Sequence, residues 1–185
     1  LGLILVSDET MTQSPEDDLP EQMRVRLDKR EQVIASGGEP YPVVVDRTHT
    51  LREIVDTYDA EALGPDTLTG DVVTVAGRVI FVRGTGKLVF VALREGDGTP
   101  LQAMISLDGV GDESLAAFKA LVDIGDHLAV TGEVITSKRG ELSVMATSWQ
   151  LAAKTVRPLP NEHTPLSDEA RSRMRYVDLI VRPEA

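Results

Sequence analysis

Two glycine-bearing breaks in this chain carry paired cations. Arg83 and Lys87 flank Gly84-Thr85-Gly86, and Lys138-Arg139 stands inside Ser137-Lys-Arg-Gly140. Guanidinium and ammonium groups on short turns suit a nucleic-acid strand, because they meet phosphates and Arg can also stack on an unstacked base. Arg78, next to Gly77, reads either as a structural residue or as a further phosphate contact. Other chemistries find few residues to use. The absence of cysteine removes disulfides, thiolate metal sites and cysteine nucleophiles together. His49, His127 and His163 are scattered without ligand spacing, so no metal site is indicated. No carboxylate pair or nucleophile triad stands in for them.

The stretch from Asp71 to Leu151 must position those cations. Three β-rich runs come first, broken at Gly84–Gly86 and at Glu95-Gly-Asp-Gly98. Asp112 to Val122 then repeats Leu115, Phe118, Leu121 and Val122 at helical spacing. Two more β-rich runs follow, parted by Ser137–Gly140. The order β-β-β-α-β-β in this span is that of a five-stranded OB-fold, a Greek-key barrel. Barrels of this kind bind oligonucleotides on the strand 2–3 face, between the loops joining strands 1–2 and 4–5. Those loops are the two cation-bearing breaks. Gly77 within the first strand, Val72 to Val82, reads as a bulge or sharp bend.

Charge qualifies the argument. The 185-residue chain has a net charge of −11, which looks wrong for a nucleic-acid binder. Residues 1–70 hold 6 basic against 15 acidic residues, whereas 71–151 hold 7 against 10 and 152–185 hold 6 against 5. The acidity lies mostly outside the barrel, so a basic face survives, with weak, salt-sensitive binding expected. Hydrophobic residues make up 42% and aromatics only 4%, so aliphatics must fill the core. Lack of disulfides suits a reducing compartment and a cytoplasmic location.

Around the barrel, four segments are expected. Residues 1–18 form a disordered linker or the remnant of a preceding region; the apolar Leu1–Val6 run is too short to span a bilayer. Residues 19–70 form a helical extension, its first helix capped by Asp18 and ended by Gly37-Gly38. On that helix Met23, Leu27 and Ile34 share a stripe, while Arg24, Arg26, Lys29 and Arg30 read as a solvated face or as an RNA-phosphate surface. Glu39-Pro-Tyr-Pro42 is an extended connector, and Thr50-Leu-Arg-Glu53 is a capping box starting a short helix. The barrel proper occupies 71–151. Residues 152–185 read as a linker, with Arg157-Pro-Leu-Pro160 and a helix from Ser167 to about Leu179 leading toward a domain outside the chain.

Several of these pieces, in this order, resemble the N-terminal part of class II lysyl-tRNA synthetases. They are Arg26-Leu-Asp-Lys-Arg30, Glu39-Pro-Tyr-Pro42, Val75-Ala-Gly-Arg78, Gly86-Lys87 ahead of Phe90, Arg139-Gly-Glu-Leu-Ser143, Arg157-Pro-Leu-Pro160 and Arg173-Met-Arg-Tyr-Val-Asp-Leu179. The resemblance runs from about Leu19 to the end. It implies a barrel that binds the tRNA(Lys) anticodon stem-loop, with Phe90 stacking on the middle base, Gln102 bonding that base's edge to select uridine, and Arg83 touching anticodon bases or phosphates. Glu141 matches a position near the third anticodon base. The residues alone leave plainer roles open: Phe90 in the core, Gln102 as an ordinary strand polar residue, Arg83 paired with Glu95 or another acid, and Trp149 in the core or a seam.

By the same resemblance the parent attaches lysine to tRNA with ATP and Mg²⁺ on a catalytic domain that these residues do not contain, and it is a homodimer. No cofactor is expected in this fragment, which should be inactive alone and monomeric or weakly associated. One variant of the family places a membrane-embedded lysyl-phosphatidylglycerol synthase region ahead of the synthetase; the opening LGLILV and acidic linker fit that arrangement and a stand-alone enzyme alike. Two rival readings stand: an aspartyl or asparaginyl synthetase barrel, and an OB-fold used for protein interaction or dimerisation.

Overall fold

The computed structural model describes residues 20–84, 86–160 and 166–182. Strands β1 (Leu68–Arg83), β2 (Leu88–Arg94), β3 (Pro100–Ser106), β4 (His127–Thr136) and β5 (Leu142–Ala153) close into a barrel in the order β1-β2-β3-β5-β4. All neighbours are antiparallel except β3 and β5, which run parallel. The closure follows from two-residue periodicity: Val73, Val75 and Val79 on β1 and Val89, Val91 and Leu93 on β2 turn inward and are buried. Leu101, Ala103, Ile105, Leu128, Val130, Val134, Val144 and Ala146 complete an aliphatic core. Such a five-stranded barrel with flanking helices is the OB-fold.

Seven helices flank the strands among the described residues: α1 (Glu21–Ala35), α2 (Leu51–Thr57), α3 (Ala60–Leu63), α4 (Leu107–Val110), α5 (Asp112–Leu121), α6 (Asp168–Arg173) and α7 (Arg175–Val181). The α5 helix buries Leu115 and Phe118, and Phe118 meets Trp149 edge-on at 5.2 Å. The indole N–H of Trp149 donates to Ser114 Oγ, so this half-buried ring seals the seam between α5 and β5. Thr50 and Glu53 form the expected capping box on α2, whose Leu51 and Ile54 join the core. Glu95 anchors that helix, accepting from the Leu51 N–H and from Arg47.

Three local expectations are corrected. Gly77 carries no bulge; the shift in β1–β2 register falls between Val79 and Phe81. A Cβ at Gly77 would stand 3.1 Å from Leu93 Cβ and 3.2 Å from Leu51 Cδ1, so the glycine admits α2 close to the strand. On α1 the buried residue is Val33, while Ile34 faces solvent at 43% exposure. The helix docks through its cations instead: Arg26 donates to the carbonyls of Thr155 and Ile124, and Lys29 bonds Asp123 at 2.6 Å. Those two side chains therefore form neither a solvated face nor a free RNA surface. The C-terminal helix is broken at Met174, where φ −119° and ψ 51° end α6. The break lets Asp178, at the start of α7 and fully buried, accept from Arg175 and twice from Arg182. The Asp18 cap and the linker reading of 1–18 lie outside the described residues, as do Thr85, His163 and Thr164-Pro165.

Beneath α1, Lys154 is completely buried. Its three N–H donors reach Leu121 O at 2.8 Å, Asp123 at 2.5 Å and Asp126 at 2.7 Å. Asp126 also accepts from the Thr155 and Asp123 N–H groups. Every polar atom in this cluster is thus matched, which is what a charge removed from water requires. Burial works to raise the Asp123 carboxyl, but the hydrogen bonds from Lys154 and Lys29 hold it below the usual carboxylate range.

Candidate nucleic-acid interface

Because Val89, Val91, Leu101 and Ala103 point inward, Phe90 and Gln102 must point outward on β2 and β3. Phe90 pairs in register with Met104, one inter-strand step from Gln102, so ring and amide are diagonal neighbours on one face. Phe90 is half-buried and outside the core cluster. Arg83, its cross-strand partner on β1, lays its guanidinium 5.4 Å from the ring centroid. Glu95, the alternative partner for Arg83, is instead held by Arg47. The guanidinium thus lies over one face of the ring, and both groups are of a kind on which a flat π-system can stack.

Opposite the ring, the turn between β4 and β5 is tightly built. Ser137 N–H donates to Glu141 O, Gly140 N–H returns to Ser137 O, and Gly140 takes φ +80°. The segment before β1 braces it, with Asp66 N–H on Ser137 O and Thr67 N–H on Thr136 Oγ1. Lys138 and Arg139 are thereby presented at the exposed tip. Below the turn, Gln102 Nε2 donates to Ser143 Oγ at 2.8 Å, and Ser143 Oγ donates to Glu141 O at 2.9 Å.

These parts enclose one cleft of about 710 Å³, lined by Arg83, Phe90, Gln102, Lys138, Arg139 and Glu141 together with Met104, Met145, Asp66 and Asp108. Six of the eight residues singled out in the sequence meet there. Two do not. Lys87 is exposed but does not line the cleft; its carbonyl accepts from Leu107 N–H while Lys119 grips the neighbouring Gly86 carbonyl. Arg78 sits away from the cleft, half-buried beside Arg94 and His127, and donates to Gly125 O at 3.0 Å. Burial, then the Arg94 charge, pulls its guanidinium down from the usual value. Sequence reading missed the methionines and Ser143. Met104 was open to detection from its alternation with Gln102, whereas Ser143 becomes Gln102's neighbour only through the parallel β3–β5 pairing.

The cleft combines an aromatic ring, a side-chain amide and three cations with three carboxylates from Asp66, Asp108 and Glu141. So balanced a lining suits reading base edges more than gripping a phosphate chain. Fold and cleft together define the class: an OB-fold of the nucleic-acid-binding kind, and residues 73–152 match the family model described as an OB-fold nucleic acid binding domain. Similarity extends well beyond the barrel. The chain is 61% identical over 176 residues to a lysine–tRNA ligase of Mycolicibacterium gilvum, covering 95% of this chain and 34% of that protein. It is 59% identical over 169 residues to one from Mycobacterium bovis, covering 91% and 33%, and 39% identical over 173 residues to one from Bacillus subtilis, covering 91% and 34%. The chain belongs with the N-terminal, anticodon-binding region of the lysyl-tRNA synthetases, and spans about a third of the length of these curated relatives.

Proposed function

We propose that this chain binds the anticodon stem-loop of tRNA(Lys) in the Phe90 cleft and reads the middle uridine. The observation that carries this reading is the convergence of Phe90, Gln102 and Arg83 with the Lys138-Arg139 turn around one opening. Phe90 offers a stacking surface, worth about 1–3 kcal/mol per base and indifferent to sequence. Selection therefore falls to Gln102, whose amide meets the Watson–Crick edge, while Glu141 lies where the third base would pass. Arg83, Lys138 and Arg139 hold the strand. The longer protein would use this grip to place the acceptor end of the tRNA at a catalytic domain that joins lysine to it, with ATP and Mg²⁺ bound there, and would pair with a second copy mainly through that domain.

Fluorescence anisotropy with a stem-loop bearing UUU, beside one carrying cytidine in the middle position, tests the reading. Tighter binding of the uridine form is expected, with Phe90→Ala weakening both by about ten- to a hundredfold. With three cleft cations, log K should fall against log salt with a slope of about −2. Equal binding of the two stem-loops would overturn the base-reading role. Absence of binding, with salt-insensitive association to protein instead, would favour an interaction module.

A further inference from the structure

Ser143 has no place in the roles assigned above, yet it touches the residue on which selection depends. Its side chain is fully buried, on β5 directly in register with Gln102 of the parallel strand β3. The hydroxyl has one proton and two polar neighbours. One is the Glu141 carbonyl, which can only accept. Giving the proton to that carbonyl leaves Ser143 Oγ an acceptor, so the Gln102 group facing it at 2.8 Å must be the NH₂. The carbonyl oxygen Oε1 is then turned outward into the cleft.

We propose that Ser143 is a specificity-positioning residue: through the Gln102 Nε2–Ser143 Oγ–Glu141 O chain it fixes which way the Gln102 amide faces, and so which base edge the cleft accepts. This rests on the reading of the cleft as an anticodon site. Uracil presents an N3–H donor, which an outward Oε1 can accept. Cytosine presents a bare N3 acceptor at the same place, which Oε1 opposes. Rotating the amide by half a turn would put NH₂ toward the base and suit cytosine instead. The rotated form forfeits the Ser143-to-Glu141 hydrogen bond, because the serine proton must then turn to Oε1. Glu141 O keeps the Ser137 N–H, so the bias is that of a single hydrogen bond, about five- to tenfold in population.

The test uses the 185-residue chain and the UUU and middle-cytidine stem-loops, with Ser143→Ala, Ser143→Cys and Ser143→Thr compared with wild type. Cysteine fills the serine's space with a poor acceptor, covering the case in which alanine fails to fold; threonine keeps the hydroxyl. Expected is a five- to tenfold loss of uridine preference in the alanine and cysteine variants, arising mainly from tighter cytidine binding, and its recovery in threonine. Side-chain amide NMR of Gln102 gives a second readout free of RNA: in wild type one N–H should be shifted by its hydrogen bond, and Ser143→Ala should erase that shift. Unchanged preference in folded Ser143→Ala and Ser143→Cys would overturn the proposal. Loss of affinity for both stem-loops alike would also overturn it, since that is the signature of a merely structural serine. A wild type without uridine preference would instead sink the anticodon reading itself, and the amide spectrum would still decide whether Ser143 orients Gln102.

Discussion

Phe90 and His127 show how much of a strand residue's surroundings depends on pleat and register. Phe90 was open to a core or a surface role on its sequence; the pleat decides, since its neighbours Val89 and Val91 fill the barrel. What the sequence could not display is Arg83 lying over it, because that contact depends on the register of β1 against β2. His127 is half-buried opposite Arg78 of β1. Its interest is electrostatic. Burial first, and the adjacent Arg78 charge second, lower its pKa from the ordinary 6.5, with Asp126 opposing. The imidazole is neutral in the fold while the unfolded chain takes a proton below about pH 6.5, so its share of stability is full above that pH and is lost as pH falls toward the lowered value. The melting temperature should therefore drop between about pH 7.5 and about pH 5.5, and His127→Gln should flatten that drop. An unaltered slope in the variant would assign the effect to other groups.

At the level of elements, alternation and turn residues made the barrel legible: five strands, the intervening helix and the breaks between β1 and β2 and between β4 and β5 lie where period and glycine placed them. Glycines inside strands were the weak point. A glycine in a β-run signals either a bulge or a close approach, and only the partner element says which. Gly77 is a close approach for Leu51 of α2. Gly132 on β4 is a starker case, at a register shift opposite β5, where a Cβ would fall 2.0 Å from Met145 O. Gly132→Ala should cost about 1–3 kcal/mol or more, because backbone rather than a flexible side chain must move. Gly140→Ala has open space and only the strain of its positive φ, so about 1 kcal/mol is expected. Urea unfolding followed by Trp149 fluorescence separates the two, and similar midpoints would refute the distinction. The α6–α7 break escaped the sequence for a comparable reason: nothing local marks Met174, and the bend is fixed by where Asp178 finds its arginines.

For the whole molecule, the division of charge matters more than its total. The net −11 leaves room for a nucleic-acid-binding cleft because several of the barrel's carboxylates are already paired, Glu95 with Arg47, Asp97 with Arg52, and Asp123 and Asp126 with Lys154, and the cleft itself is nearly balanced. The α1 helix is tied to the barrel by Arg26, Lys29 and the Asp123–Lys154–Asp126 cluster rather than by a broad apolar stripe, which is why the Met23-Leu27-Ile34 pattern pointed at the wrong contact. That cluster also sorts the chain's lysines by chemistry. An amine acylates only when it is reachable, and the Lys154 Nζ is not: its side chain has no exposed surface, and it donates to Leu121 O, Asp123 and Asp126. Lys87, Lys119 and Lys138 are exposed. In a brief reaction with an N-hydroxysuccinimide ester followed by peptide mass spectrometry, the exposed lysines should be acylated while Lys154 stays unmodified, and its labelling should begin only with the opening of the cluster beneath α1. Lys154 thereby becomes a built-in clock for that opening, silent while the helix is seated and recorded covalently once it leaves.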